Sequence, residues 1–194
     1  QAFDGRLAAL QGQMAEKAKS VTYSDPAEQN PPPAVVTLEQ VWFDDAFPDG
    51  AQVGSSGHPI TFVDTPVLSG KKSLKRGTGQ NYYENGAQPL VVPEGAKFFV
   101  HVYLDPGSLP KEVMIQFHTG QWKHRALWGE DVIDFGAKGT TERYVAGPLP
   151  EAGKWVKLEV PAEKMGLAAG TKVAGYAFTV EGGTCYFDKM GVEG

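Results

Sequence analysis

One cysteine, Cys185, stands alone in 194 residues. That scarcity excludes an intramolecular disulfide, a cysteine-cluster metal site and a CxxCH haem attachment, and leaves the redox compartment open. Positive charge is short as well: 18 Lys and Arg stand against 23 Asp and Glu, for a net charge of -5. The basic residues are scattered, so there is no electrostatic footprint for nucleic acid or an anionic membrane. No apolar run approaches the roughly 18 residues that a membrane span needs. Gly-rich phosphate loops, GxSxG elbows and HExxH helices are all missing. A His–carboxylate pair can be assembled from His118 or His124 with Glu130, Asp131 or Asp134, but a chain with four His and 23 acids offers such pairs freely. Gln1 in place of an initiator Met reads as an excised piece or a mature product.

What the chain has in quantity is 24 Gly and 14 Pro beside a 41% hydrophobic content. This combination predicts many short strands joined by turns around one real core. The convincing helix comes first, over residues 3–19, where Asp4 caps it and Phe3, Leu7, Leu10 and Met14 recur at helical spacing. That narrow stripe is too short for an independent coiled coil, so it packs on the domain, on a copy of itself or on a further segment. Residues 20–33, ending in QNPPP, read as a linker, which divides the chain into 1–33 and 34–194.

From Ala34 onward strand signals alternate with turns. AVVTLEQVWF reads as a strand or strand pair, DDAFPDGAQVGSSGHP as a long loop. ITFVD, KKSLKR, NYY, PLVVPEG and KFFVHVYL follow, and after the central stretch come RYVAG, KWVKLEVP, VAGYAFTV and TCYFDKMGV. About ten strands with hairpin-length connections predict an all-β fold, an antiparallel β-sandwich of jelly-roll type with an N-terminal α-helix. In KWVKLEV, Val156, Leu158 and Val160 take the core face, which leaves Trp155 at a rim or on an outer face.

Residues 112–129, EVMIQFHTGQWKHRALWG, carry the least ordinary side chains. Val113, Ile115 and Phe117 alternate with Met114, Gln116 and His118 as in a two-faced strand. After a turn at Thr119-Gly120 come Trp122, Lys123, His124, Arg125 and Trp128. Aromatic faces stack on sugar rings or bases, while Arg and His direct donors at hydroxyls or anions, so the group suits binding more than catalysis. Each Trp taken singly reads equally as core, and the Arg beside it as a cover. Strict alternation puts Trp122, His124 and Trp128 on one face and Arg125 on the other; a bulge is needed to bring them together with Gln116. Tyr82 and Tyr83 add stacking surface in one reading and are ordinary loop and strand aromatics in the other.

The series FDD, SGKKSL, AKFFVHVYLDP, the strand at Met114, Ile115 and Gln116, HRALWG, GPLPEAGKWVKLEVP, MGL, GYAFT and TCYFDKMGV resembles a module of large secreted bacterial multidomain proteins of the planctomycete cytochrome-c type. The likeness spans most of residues 41–192 and extends to the galactose-binding-like jelly rolls that include many carbohydrate-binding modules. It implies a non-catalytic accessory module of an exported protein (secreted, periplasmic or at the cell surface), with a polysaccharide or glycan and the parent's other domains as partners. It also implies a structural Ca²⁺ tying the first and last strands, held by Asp44, Asp45 and Asp188 with backbone carbonyls from Ser69 to Lys71. A hard cation needs six to eight oxygens, and it neutralises carboxylates that otherwise repel. In the plainer reading Asp44 and Asp45 cap a turn and Asp188 accepts a hydrogen bond. A docking module that positions neighbouring domains is the alternative function, and a jelly-roll glycosidase or lyase the alternative enzyme class.

Overall fold

In the computed structural model, residues 2–19 and 38–194 are described, and the chain divides into two compact units, Gln1–Val36 and Thr37–Gly194. The first contains the helix α1, Ala2–Lys19, on which Leu7, Leu10 and Met14 are exposed. The expected linker and the residues Ala34 to Thr37 of the expected first strand lie outside the described residues.

The second unit runs β1 (Glu39–Phe43), β2 (Gln52–Gly57), β3 (Thr61–Val63), β4 (Ser73–Arg76), β5 (Gly79–Glu84), β6 (Leu90–Val91) and β7 (Lys97–Leu104). It continues with β8 (Glu112–His118), β9 (Trp122–Gly129), β10 (Tyr144–Gly147), β11 (Trp155–Pro161), a 3-10 turn (Ala162–Met165), β12 (Lys172–Val173), β13 (Gly175–Glu181) and β14 (Cys185–Glu193). One sheet has the order β11-β7-β14-β4-β3, with β1 also on β14, and the other β10-β9-β8-β13-β5-β2; β6 and β12 form a small third pair. Apart from β10, which lies parallel to β9, the pairs are antiparallel. The chain changes sheets at most connections, winding in the jelly-roll manner. The expected antiparallel β-sandwich is what the chain forms.

The core follows from alternation. Phe98, Val100, Val102 and Leu104 of β7 meet Val113, Ile115 and Phe117 of β8 across the two sheets, all at 1% exposure or less. Each such side chain contributes about 1.5–3 kcal/mol through burial. Trp42 fills the gap between them, its ring 5.3 Å from that of Phe98 and 6.3 Å from that of Phe117.

The segment expected to be one long loop contains β2, and this is a correction. QVGSSG is poor in strand formers, but it is an edge strand paired along its length with β5, and an edge needs only one partner. Beyond β9, residues 130–143 fold over the outer face of the second sheet, where Ile133 packs on Met114 and Leu127. Glu112 Oε2 accepts the Val132 and Ile133 amides at 2.7 and 2.8 Å. Arg143, 2% exposed, donates to the carboxylates of Asp131 and Asp134. This loop becomes one wall of the site below.

Candidate functional site: a groove on the second sheet

The outer face of the second sheet carries a groove of about 270 Å³ lined by Gln80, Tyr82, Glu84, Gln116, Trp122, Arg125 and Phe135. Its assembly depends on one extra residue in β9. His118 pairs with Trp122 and Phe117 with His124, so Lys123 is skipped by the register. That bulge reverses the alternation and sets Trp122 on the same face as Arg125 and Gln116. Arg125 reinforces it by donating from Nη2 to the Trp122 carbonyl and from Nη1 to the Glu142 carbonyl, the latter at 3.1 Å.

The floor is a continuous polar chain across four strands. Arg125 Nε donates to Gln116 Oε1 at 2.7 Å, and Gln116 Nε2 donates to Thr179 Oγ1 at 2.7 Å and to Gln80 Oε1 at 3.0 Å. Every member fixes the next, so the donors and acceptors left over are pre-aimed. Burial pulls the Arg125 guanidinium below its ordinary value, with Glu142 acting against that shift, and it remains a cation. Above the floor stand the half-buried rings of Trp122 and Tyr82, 5.9 Å apart and edge to face. Trp122 Nε1 donates to Glu84 Oε1 at 2.8 Å. Tyr82 lies over the edge strand at Gly54, where a Cβ would come within 2.5 Å of the phenol ring. At the other end the Phe135 ring sits 6.0 Å from the Arg125 guanidinium.

Of the expected ligand residues, Gln116, Trp122, Arg125 and Tyr82 converge here. Three others do not. Trp128 and Tyr83, 5% and 1% exposed, belong to the core between the sheets, and burial pushes the Tyr83 phenol up to about 12. His124 points to the inner side of β9, its Nδ1 donating to the Met165 carbonyl at 2.7 Å and its Nε2 paired with the Thr119 hydroxyl at 2.9 Å. Gln80, Glu84, Thr179 and Phe135 join the site without having been expected. The first two were legible in principle, since in GQNYYE they share the parity of Tyr82. Trp155 lies on the outer face of the opposite sheet, with Tyr103 between it and Tyr186 at ring distances of 5.8 and 5.9 Å.

A second cluster joins the first and last strands. Asp188 Oδ2 accepts the amides of Leu68 and Ser69 at 2.8 and 3.1 Å, and Asp44 Oδ2 accepts the Ser69 hydroxyl at 3.0 Å. The Oδ1 atoms of both Asp44 and Asp188 are buried and receive no N–H or hydroxyl donor, and the two carboxyls are near enough to hydrogen-bond to each other when one is protonated. Burial raises the Asp188 carboxyl to about 6; the Leu68 and Ser69 amides oppose this and the neighbouring Asp44 adds to it. Asp45 is differently placed. Its Oδ1 accepts the Lys71 and Lys72 amides at 2.6 and 2.7 Å above Gly70, which has a φ of +62° and whose missing Cβ leaves room for the carboxylate. These amides hold the Asp45 carboxyl below its ordinary value. Lys71 thus meets a carboxylate through its N–H. Among the described residues no group of three or more His, Cys, Asp or Glu is set to hold a metal.

No protein-family model matches this chain, and no curated protein does. Among solved structures, a mutant of a family 29 carbohydrate binding module is similar at 10% identity, over 81% of this chain and 92% of that one, with a TM-score of 0.45. TmCBM61 in complex with beta-1,4-galactotriose is similar at 9% identity, over 74% and 88% of the two chains, with a TM-score of 0.42. The glycoside hydrolase domain of Spr0440, Endo-D from Streptococcus pneumoniae R6, is similar at 18% identity and a TM-score of 0.42, over 73% of this chain. The present chain spans 21% of that hydrolase's length.

Proposed function

We propose that this chain is a non-catalytic carbohydrate-binding module that holds a polysaccharide segment in the groove of Trp122, Tyr82 and Arg125. The observation that carries the reading is the combination of two half-exposed rings with a fixed polar floor on one sheet face. A pyranose has apolar ring faces and equatorial hydroxyls; Trp122 and Tyr82 meet the first, while Glu84 accepts from and Arg125 donates to the second. Glu84 is the one carboxylate among the lining residues. Glycoside hydrolysis ordinarily takes a pair, which favours recognition over cleavage. The test is a glycan array of neutral, uronic and sulfated polysaccharides probed with the intact chain. Binding to a glycan, lost in Trp122→Ala, supports the reading; an array with no binding anywhere refutes it.

We infer that Asp44 and Asp188 would hold a structural Ca²⁺, because a cation beside their buried Oδ1 atoms, which accept from no donor, relieves both carboxylates at once. The expected carbonyls of Ser69 to Lys71 and water would complete such a shell, and Asp45 serves the turn. The resemblance to modules of exported multidomain proteins supports a place in a larger secreted parent. No described helix is long and apolar enough to cross a membrane.

A docking role is the second reading, and the exposed stripe of Leu7, Leu10 and Met14 favours it for the helix. For the sandwich it is disfavoured, since Trp122 and Trp155 are left half-exposed while Trp42 and Trp128 are buried.

A further inference from the structure

We propose that the cavity beside the groove takes a neutral apolar substituent of the bound glycan, an O-acetyl or a methyl group, so that decorated chains are preferred to bare ones. The proposal rests on the reading of the groove as a glycan site. The cavity, about 240 Å³, lies between the 130–143 loop and strands β2, β5 and β13, and it shares Gln80 and Phe135 with the groove. A sugar ring seated at Trp122 and Tyr82 therefore has the cavity further along β5, toward Gly79, next to the shared Gln80 and Phe135.

Three observations fix the occupant's chemistry. Val132 and Phe135 present large apolar side chains, 46% and 39% exposed, over Ile133. Their exposure is held in place, because Glu112 grips the amides at Val132 and Ile133 and Arg143 grips Asp131 and Asp134. An anionic group finds no cation to pair with: the lining includes Glu181, and Asp134 already paired with Arg143, and neither Lys nor Arg. A sulfate or carboxylate there gives up hydration with no cationic partner in return, whereas an ester or methyl gives up little. The junction supplies a donor. Gln80 Oε1 is taken by Gln116, which leaves the Gln80 NH₂ as the donor at the junction for an acetyl carbonyl to accept as the methyl enters the apolar end.

The test uses the intact chain and two backbones, glucomannan and xylan, each in its acetylated form and after alkaline deacetylation. Burying a methyl-sized group is worth about fourfold in affinity and an acetyl roughly tenfold. The acetylated form of whichever backbone binds is expected to bind about tenfold more tightly. Ser56→Trp, filling the cavity from the exposed edge strand, and Val132→Ser are expected to bring it down to the level of the bare form, with binding of the bare form unchanged. Equal affinity for the two forms overturns the proposal and leaves the groove standing, as does a difference that survives Ser56→Trp. Failure to bind either form of either backbone counts against the groove itself and this proposal with it.

Discussion

At the scale of single residues, Trp122 and Trp128 show how one strand serves two purposes. They are six positions apart, but the bulge at Lys123 sends the first to the groove and the second to the core. Truncating Trp128 to Ala leaves a cavity between the sheets and is expected to cost about 3–5 kcal/mol of stability, read as a lowered denaturant midpoint. Gly54 is a positioning residue of another kind. Its missing side chain seats the Tyr82 ring, so Gly54→Ala is expected to swing the phenol out and weaken glycan binding roughly tenfold, the worth of one stacking contact, while the melting temperature holds. Unchanged binding in Gly54→Ala separates Tyr82 from the ligand. The sequence made the residue types of the site legible but not their sorting. Adjacent Tyr82 and Tyr83 cannot share a face of a strand, and alternation alone selects one. The bulge is set by pairing with β8 and leaves no local mark, which is why alternation groups His124 and Trp128 with Trp122.

At the scale of elements, most strands announce themselves. KFFVHVYL and KWVKLEVP alternate cleanly and appear as β7 and β11, paired in register from Trp155 with Tyr103 to Pro161 with Lys97. β2 was illegible because an edge strand can be built of Gly and Ser when its partner supplies the hydrogen bonds. The 130–143 loop was illegible for another reason: Arg143 ties its own loop together through Asp131 and Asp134, and Glu112, some twenty positions earlier, fixes it to the sheet. The loop at Leu68 to Lys72 is likewise held by Asp188 and Asp45 from elsewhere. If Asp44 and Asp188 hold Ca²⁺, the ion binds only the folded state and stabilises it by mass action, by about 2.7 kcal/mol at a hundredfold excess over Kd. Added Ca²⁺ is expected to raise the melting temperature and EDTA to lower it, and Asp44→Asn to abolish both shifts. A melting curve indifferent to calcium and chelator removes the ion from this pair.

At the scale of the molecule, the sandwich has differentiated outer faces. One carries the groove, walled by a pinned loop; the other carries Trp155, Tyr103 and Tyr186 in a cross-strand row. The helix is a separate unit with an exposed apolar stripe. If that stripe is a contact surface, Leu7→Ser with Leu10→Ser is expected to abolish any self-association seen in sedimentation without moving the sandwich's melting temperature. An association that persists places the contact elsewhere. The assignment of function to one face is tested most directly by titrating one glycan, chosen from the array, into the wild type, Trp122→Ala and Trp155→Ala, with melts alongside. The groove predicts that Trp122→Ala loses about 1–3 kcal/mol of binding, by analogy with aromatic stacking platforms, keeps its fold, and that Trp155→Ala binds as the wild type does. Loss of binding in Trp155→Ala with Trp122→Ala unaffected contradicts it and moves the site to the opposite sheet.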